Sequence, residues 1–208
     1  MKIDLIYPKI PENSDKFQGK CIAFEKYDGT NLHWIWNIDD GWHKFGTRRT
    51  QFSFDKGGES EFIKEHSELE RAPELFNDTL RDWLTTFLCQ TEPYKSSKVT
   101  VFTEFYGPNS FAGNHSPSDA DKDWQQLTLI DVAIGNQIIA PDLFVNDFRQ
   151  FPIAKIIYKG KYSGQFAQDV IDGKYNVNEG VVCKGLVDNR VFMTKIKTED
   201  YLKRLRQR

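Results

Sequence analysis

The stretch Glu25-Lys26-Tyr27-Asp28-Gly29-Thr30-Asn31 sets one lysine beside an Asp-Gly turn, between two strand-like runs. Cys21-Ile22-Ala23-Phe24 precedes it and Leu32-His33-Trp34-Ile35-Trp36 follows it; both are rich in β-branched and aromatic residues and read as strands. On turn chemistry alone, Asp28-Gly29 signals a hairpin. The lysine at its lip, with carboxylates and lysines arriving in three later segments, suggests a nucleophile.

Outward from this stretch, Trp42 to Phe45 is a further short strand run, followed by the polar Gly46-Thr47-Arg48-Arg49-Thr50-Gln51. Apolar residues then recur at helical spacing from Glu59 to Arg71 and from Pro73 to Gln90, with Pro73 fitting a first helical turn. Strand character returns at Lys98, where Val99, Val101 and Phe102 lead to Glu104. A loop of Ser, Asn, Asp, Pro and Gly spans Asn109 to Asp123. Leu127 to Ile134 and Gln137 to Ala140 read as a strand pair closed by Gly135-Asn136. A helix over Pro141 to Phe151, a strand over Ile153 to Tyr158 and a helix over Ser163 to Asp172 follow. Val181 to Lys184 and Val191 to Lys197 form the last strands around Asp188-Asn189. Thr198 caps a terminal helix with acids in its first turn and cations in its last. The expectation is an α+β chain with mostly antiparallel strands, forming a single domain over 1–208.

The bulk numbers exclude several classes. The 208 residues suffice for a substantial core, and no apolar run approaches the roughly 20 residues that span a bilayer. Met1-Lys2-Ile3-Asp4 opens no secretory signal. Cys21, Cys89 and Cys183 are far apart, without metal-ligand spacing, which argues against disulfide frameworks and zinc sites and fits a reducing cytoplasm. A net charge of -2 confines any nucleic-acid contact to a local patch.

A nucleophilic Lys26 needs cationic neighbours or desolvation, because an ordinary lysine is protonated at neutral pH. Lys195 and Lys197 alternate on the final strand run and therefore share a face, where they could bind a phosphate; taken singly, each reads better as an exposed edge-strand lysine. Glu104 and Glu179 stand at strand boundaries, where a carboxylate can reach a ribose hydroxyl or a divalent cation. Together these groups describe attack on the α-phosphate of a nucleotide.

With these segments in order, the chain resembles the covalent nucleotidyltransferase superfamily, and within it the ATP-dependent RNA ligases of the repair and editing type. Lys26-Tyr27-Asp28-Gly29-Thr30-Asn31 is similar to the family's first motif, and Asn31 is its RNA-ligase form. Val101 to Gly107 is similar to motif III, Glu179 to Lys184 to motif IV, and Lys195-Ile196-Lys197 to motif V. Arg49 resembles the arginine that follows motif I, with Arg48 an adjacent rival.

The resemblance implies a nucleotidyltransferase (ATP-grasp-like ligase) domain with two mainly antiparallel sheets flanked by helices. It implies ATP as the source of a lysyl-AMP at Lys26, Mg2+ or Mn2+ as the metal, and RNA with 5′-phosphate and 3′-hydroxyl ends as substrate. It further implies catalytic roles for Lys26, Lys195 and Lys197, adenine contact at Glu25, ribose contact at Glu104 and metal contact at Glu179. Lys195, Lys197, Asn31 and Arg49 take phosphates, and Lys184 is a candidate RNA contact. Ile130 stands where relatives place an adenine-stacking aromatic. Relatives also carry a second or oligonucleotide-binding domain, for which only about one helix remains after motif V. A separate RNA-binding partner is therefore a candidate. Sealing of DNA or mixed strands, and a noncatalytic RNA-binding domain, are the alternatives.

Overall fold

The computed structural model describes residues 2–12, 19–108 and 124–207. The chain divides into two compact units, Met1–Tyr7 with Gly29–Ile138, and Pro8–Asp28 with Ile139–Arg208. The strand β1 (Lys20–Lys26) belongs to the second. The first holds β2 (Gly29–Asn37), β3 (Gly41–Thr47), β4 (Gln51–Ser53), β5 (Val99–Tyr106), β6 (Gln126–Ile134) and β7 (Gln137–Ile138), in the sheet order β4-β3-β2-β5-β6-β7. β8 (Ile156–Lys161), β9 (Gly180–Val187) and β10 (Arg190–Lys197) join β1 in a four-stranded sheet of order β10-β9-β1-β8. Every pairing between these strands is antiparallel, as the α+β reading expects.

The Asp28-Gly29 hairpin is not formed. β1 pairs with β8 and β9, while β2 pairs with β3 and β5, so the chain leaves one sheet at Lys26 and enters the other at Gly29. A Cβ on Gly29 would come 2.4 Å from the Phe105 carbonyl oxygen, so this glycine serves close strand approach. The expected loop from Asn109 to Asp123 lies outside the described residues.

In the first unit, Leu32, Trp34 and Trp36 alternate with Asn31, His33 and Ile35 along β2. The tryptophan face carries the core: Trp34 stacks on Phe76 at 4.0 Å and on Phe45 at 5.4 Å, and its Nε1 donates to Thr103 Oγ1 at 2.9 Å. The helices α1 (Lys56–Glu65), α2 (Ala72–Phe76) and α3 (Asp82–Gln90) supply Phe62, Phe76, Leu84 and Leu88 to that core. α1 starts three residues before the expected Glu59 because Asp55 caps it, accepting from the Gly58 N–H at 2.9 Å. It stops at Glu65, and a short tight turn, Ser67–Leu69, follows. The helix expected over Pro73 to Gln90 is interrupted by one wide turn at Asn77–Arg81, which shifts the apolar spacing between Phe76 and Leu80.

His33 lies on the opposite face, 2% exposed, and its Nε2 has no hydrogen-bond partner among the described residues. Burial lowers its pKa to about 4, against the pull of Gln51, the Thr47 backbone and Asp4. A histidine depressed in the native state contributes its stability above about pH 6.5, and loses it progressively as the pH falls towards 4. The wild-type chain should therefore lose about 2 kcal/mol from this group between pH 7.5 and 5. All five tryptophans lie in this unit, so urea titrations followed by tryptophan fluorescence report it. The loss should disappear in His33→Leu; an equal loss in both proteins would remove His33 as the cause.

In the second unit, the four-stranded sheet has two unlike faces. Cys21, Ala23, Val181, Cys183 and Ile196 point to one, against Phe166 and Val170 of α5 (Gly164–Ile171), here following α4 (Pro141–Phe148) in chain order. Ser163 caps α5 by accepting from the Phe166 N–H at 3.1 Å. The fully buried Cys183 is part of this core, and its thiol pKa is pushed up by the Cys21 thiol and by burial. α6 (Glu199–Arg206) starts at the Thr198 cap, as its sequence predicts. Among the described residues, no helix is long and apolar enough to cross a membrane.

Candidate functional site

The opposite face of the four-stranded sheet gathers the chemistry. Register places Lys26 beside Gly180 and Gly180 beside Lys197; one row along, Phe24, Val182 and Lys195 align. Cross-strand partners share a face, so Lys26, Lys195 and Lys197 all project to the same side. Glu179, the residue before β9, brings its buried carboxylate among them. Lys26 Nζ donates to Glu179 Oε2 at 2.7 Å, and Lys197 Nζ lies 3.9 Å from Oε1. Burial raises the Glu179 pKa and Asp28 adds to the rise, while Lys26 and Lys197 oppose it.

Gly180 makes this geometry possible. Its φ of +152° is a conformation that other residues rarely adopt, and a Cβ there would meet the Ile196 carbonyl oxygen at 2.0 Å. The missing side chain lets β9 and β10 approach closely at the row that holds Lys26 and Lys197.

Two residues here were not singled out from sequence. Glu12 Oε1 lies 3.4 Å from Lys195 Nζ and 3.5 Å from Lys197 Nζ, on a segment bridged to β10 by the Lys195 N–H donating to the Pro11 carbonyl at 2.9 Å. Despite its burial cost, these two ammonium groups hold the Glu12 carboxyl below its ordinary pKa. Tyr201 of α6 sets its ring 5.6 Å from Lys197 Nζ; burial, Glu179 and a hydrogen bond to Asp28 push its phenol well up, so it stays neutral. A lone glutamate in a polar segment carries no local signal. Tyr201 is legible only as the buried position of its helix, three residues past the cap.

Glu25 departs from this face. Strand alternation sends its side chain to the side opposite Lys26, while its N–H donates to the Lys155 carbonyl at 2.7 Å. Burial raises its pKa, with Lys155 and Tyr27 opposing. Lys184 lies on the Lys26 face, buried, with Nζ 4.7 Å from the Phe24 ring centroid.

The remaining predicted residues belong to the first unit, Asn31, Glu104 and Ile130 in its six-stranded sheet and Arg49 in the turn between β3 and β4. Asn31, Glu104 and Thr128 form one register row, and Asn31 Nδ2 donates to the Thr103 carbonyl at 3.4 Å. Between Phe102 and Thr103 the register shifts, which makes Ile130 the extra residue of a β-bulge. Its neighbour Asp131 accepts a short hydrogen bond from the buried Tyr7 hydroxyl. Burial, Asp131 and Glu104 raise the Tyr7 pKa, and the charge of Arg48 acts in the other direction. Arg48 and Arg49 are both exposed; the Arg49 N–H donates to Thr47 Oγ1 at 3.1 Å. Of the two, Arg48 is the one whose charge acts on Tyr7.

Among the described residues, no three His, Cys, Asp or Glu side chains converge as a metal cage. Glu179 offers a single carboxylate, a donor set that suits an ion keeping water and phosphate oxygens, as Mg2+ and Mn2+ do.

No protein-family model matches the chain, and no curated protein matches it. Solved structures do. A Naegleria gruberi RNA ligase variant with ATP and Mn matches with a TM-score of 0.61 at 16% identity, over 91% of this chain and 53% of that one. A second variant, with AMP and Mn, gives 0.58 at 15% identity, over 97% and 60%. An archaeal ATP-dependent RNA ligase gives 0.56 at 15% identity, over 96% and 50%. The chain thus spans between half and three-fifths of the length of these proteins. It has the fold of the corresponding part of the ATP-dependent RNA ligases.

Proposed function

We propose that this chain is an ATP-dependent RNA ligase that acts through a lysyl-AMP at Lys26. The observation that carries the reading is the convergence of Lys26, Glu179, Lys195 and Lys197 on one sheet face, from three separate segments. A surface role for any one of these residues would not require the others beside it.

In the first step Lys26 Nζ attacks the α-phosphorus of ATP; a P–N bond forms and the bond to the pyrophosphate oxygen breaks. Lys26 must first give up a proton, and Glu179, 2.7 Å away with its pKa raised by burial, is placed to take it. Lys195 and Lys197 neutralise charge on the phosphoryl oxygens. An RNA 5′-phosphate oxygen then attacks the same phosphorus and frees Lys26. Finally a 3′-hydroxyl attacks the RNA 5′-phosphorus, sealing the strand and releasing AMP. A Mg2+ or Mn2+ ion held at Glu179 would supply further charge neutralisation. Asn31, Glu104 and an arginine of the 48–49 pair are assigned to nucleotide and phosphate contacts, and Ile130 to the base.

Incubation with α-labelled ATP and Mg2+, followed by denaturing electrophoresis and peptide mass mapping, tests the reading. An acid-labile AMP adduct on Lys26 is expected. No adduct, even after pyrophosphate treatment to strip bound AMP, would favour the noncatalytic alternative. Ends with and without a 2′-hydroxyl then separate RNA from DNA sealing.

Glu12 stands where the phosphates are assigned, so ATP has to displace it from Lys195 and Lys197. Two partly exposed ion pairs are a weak latch. Glu12→Gln should therefore speed adduct formation at subsaturating ATP by about three- to five-fold, with little change at saturation. A slower reaction at all ATP concentrations would instead make Glu12 part of the working machinery.

A further inference from the structure

We infer that Tyr201 is a positioning residue whose ring holds Lys197 in place for the phosphate chain of ATP; this rests on the RNA-ligase reading above. Tyr201 is the one buried residue of α6, with Leu202 and Leu205 only half-buried. The helix thus inserts a single aromatic ring, and that ring meets a cation, with Lys197 Nζ 5.6 Å from its centroid. Several ties fix the ring. Its hydroxyl donates to Asp28, and the Arg204 guanidinium lies over it at 5.7 Å. Arg204 Nη2 also donates to Asn178 Oδ1 at 2.5 Å. At the start of the helix, Thr198 Oγ1 donates to the Asn178 carbonyl at 3.1 Å and the Thr198 N–H to the Glu179 carbonyl at 3.0 Å. The helix that carries Tyr201 and the segment that carries Glu179 are therefore joined at two points.

Lys197 needs such a holder because its ammonium stands between two carboxylates, 3.5 Å from Glu12 Oε1 and 3.9 Å from Glu179 Oε1. A lysine has a flexible four-carbon stem. Once ATP displaces Glu12, a Lys197 without a further contact would close on Glu179. That ion pair would withdraw its charge from the phosphates and occupy the carboxylate that takes the Lys26 proton. An aromatic face attracts an ammonium without neutralising it. The Tyr201 ring therefore keeps Lys197 in its place while leaving its charge available to the phosphoryl oxygens.

The test is a double-mutant cycle on the full chain, reading the binding of inorganic tripolyphosphate by calorimetry, separately from AMP capture. Tyr201→Leu should bind tripolyphosphate about 5- to 10-fold more weakly, the cost of ordering one long side chain and parting it from a carboxylate. Tyr201→Phe keeps the ring and should stay within about two-fold of wild type. In a Lys197→Met background, Tyr201→Leu should cost nothing further, because its effect runs through an ammonium that is no longer there. A loss of equal size in both backgrounds would overturn the inference, since a residue needed only for the fold acts whether or not Lys197 is present. Tyr201→Phe binding as weakly as Tyr201→Leu would overturn it in favour of the hydroxyl and Asp28. A wild-type chain that does not bind tripolyphosphate would overturn it outright. The failure of the ligase reading shows separately, as absence of an AMP adduct on a wild-type chain whose tripolyphosphate cycle still gives the expected coupling.

Discussion

Lys26→Ala is expected to abolish AMP capture altogether, because in the proposed reaction the residue supplies the atom that forms the P–N bond. No neighbour can replace it: Lys195 and Lys197 are on another strand and in contact with Glu12, and Lys197 also lies 3.9 Å from Glu179. Lys26→Arg should be as inactive, since a guanidinium keeps its proton at any accessible pH. Glu179→Gln keeps the shape and removes the acceptor for the Lys26 proton together with one negative charge, so adduct formation should fall about 100-fold or more. Lys195→Ala and Lys197→Ala should reduce it sharply by removing stabilisation of the phosphoryl oxygens. Label captured by Lys26→Ala would sink the assignment. Equal activity of Glu179→Gln would leave Lys26 in place and remove Glu179 as the proton acceptor.

The second large effect is structural. Gly180→Ala puts a Cβ 2.0 Å from the Ile196 carbonyl oxygen, at a φ of +152° that an L-residue resists. The atom it meets is backbone of a paired strand and cannot swing aside, so the start of the β9–β10 ladder must open. A cost of about 3 kcal/mol or more is expected, in the range of strained backbone positions combined with overpacking. Gly164→Ala is the control: nothing lies within 4 Å of its would-be Cβ, and a helical alanine there should be neutral or stabilising by up to about 1 kcal/mol. Hydrogen exchange along β9 and β10 should accelerate in the first variant and not in the second. Because the five tryptophans belong to the other unit, their fluorescence gives an independent check that the damage is local.

How far the chain could be read without coordinates depended on how local each signal was. The β9–β10 hairpin was readable because Asp188 and Asn189 carry the positive φ of 50° and 59° that a two-residue turn demands, and the strands on either side pair in unbroken register. The aromatic wealth around Trp34, Trp36 and Trp42 proved to be core, as residue type alone suggests. Asp28-Gly29 gave the same turn signal without a hairpin, because β1 pairs with β8 and β9, more than 100 residues away, and both sides of β2 are taken by β3 and β5. The interrupted helix around Asn77–Arg81 and the early start of α1 are boundary effects, one from the spacing that tertiary packing requires and one from the Asp55 cap.

Of the candidate site, the lysines of β10 and Lys26 were readable from alternation and motif. Glu12 was not, since its position depends on a bridge between a polar segment and a strand about 180 residues later. The opposite facing of Glu25 follows from strand period and was available in principle. The choice between Arg48 and Arg49 was not, because both are exposed and only the reach of the Arg48 charge to Tyr7 distinguishes them.

The tight turn between β9 and β10 also acts as a counting device. Lys195 and Lys197 reach the Lys26 face only because an even register is kept from Asp188-Asn189 outward. One extra residue between the turn and Lys195 would swing both ammonium groups into the layer that holds Phe166 and Val170, and bring Ile196 out in their place. Natural or engineered length changes in this hairpin should therefore be tolerated in steps of two and lethal in steps of one.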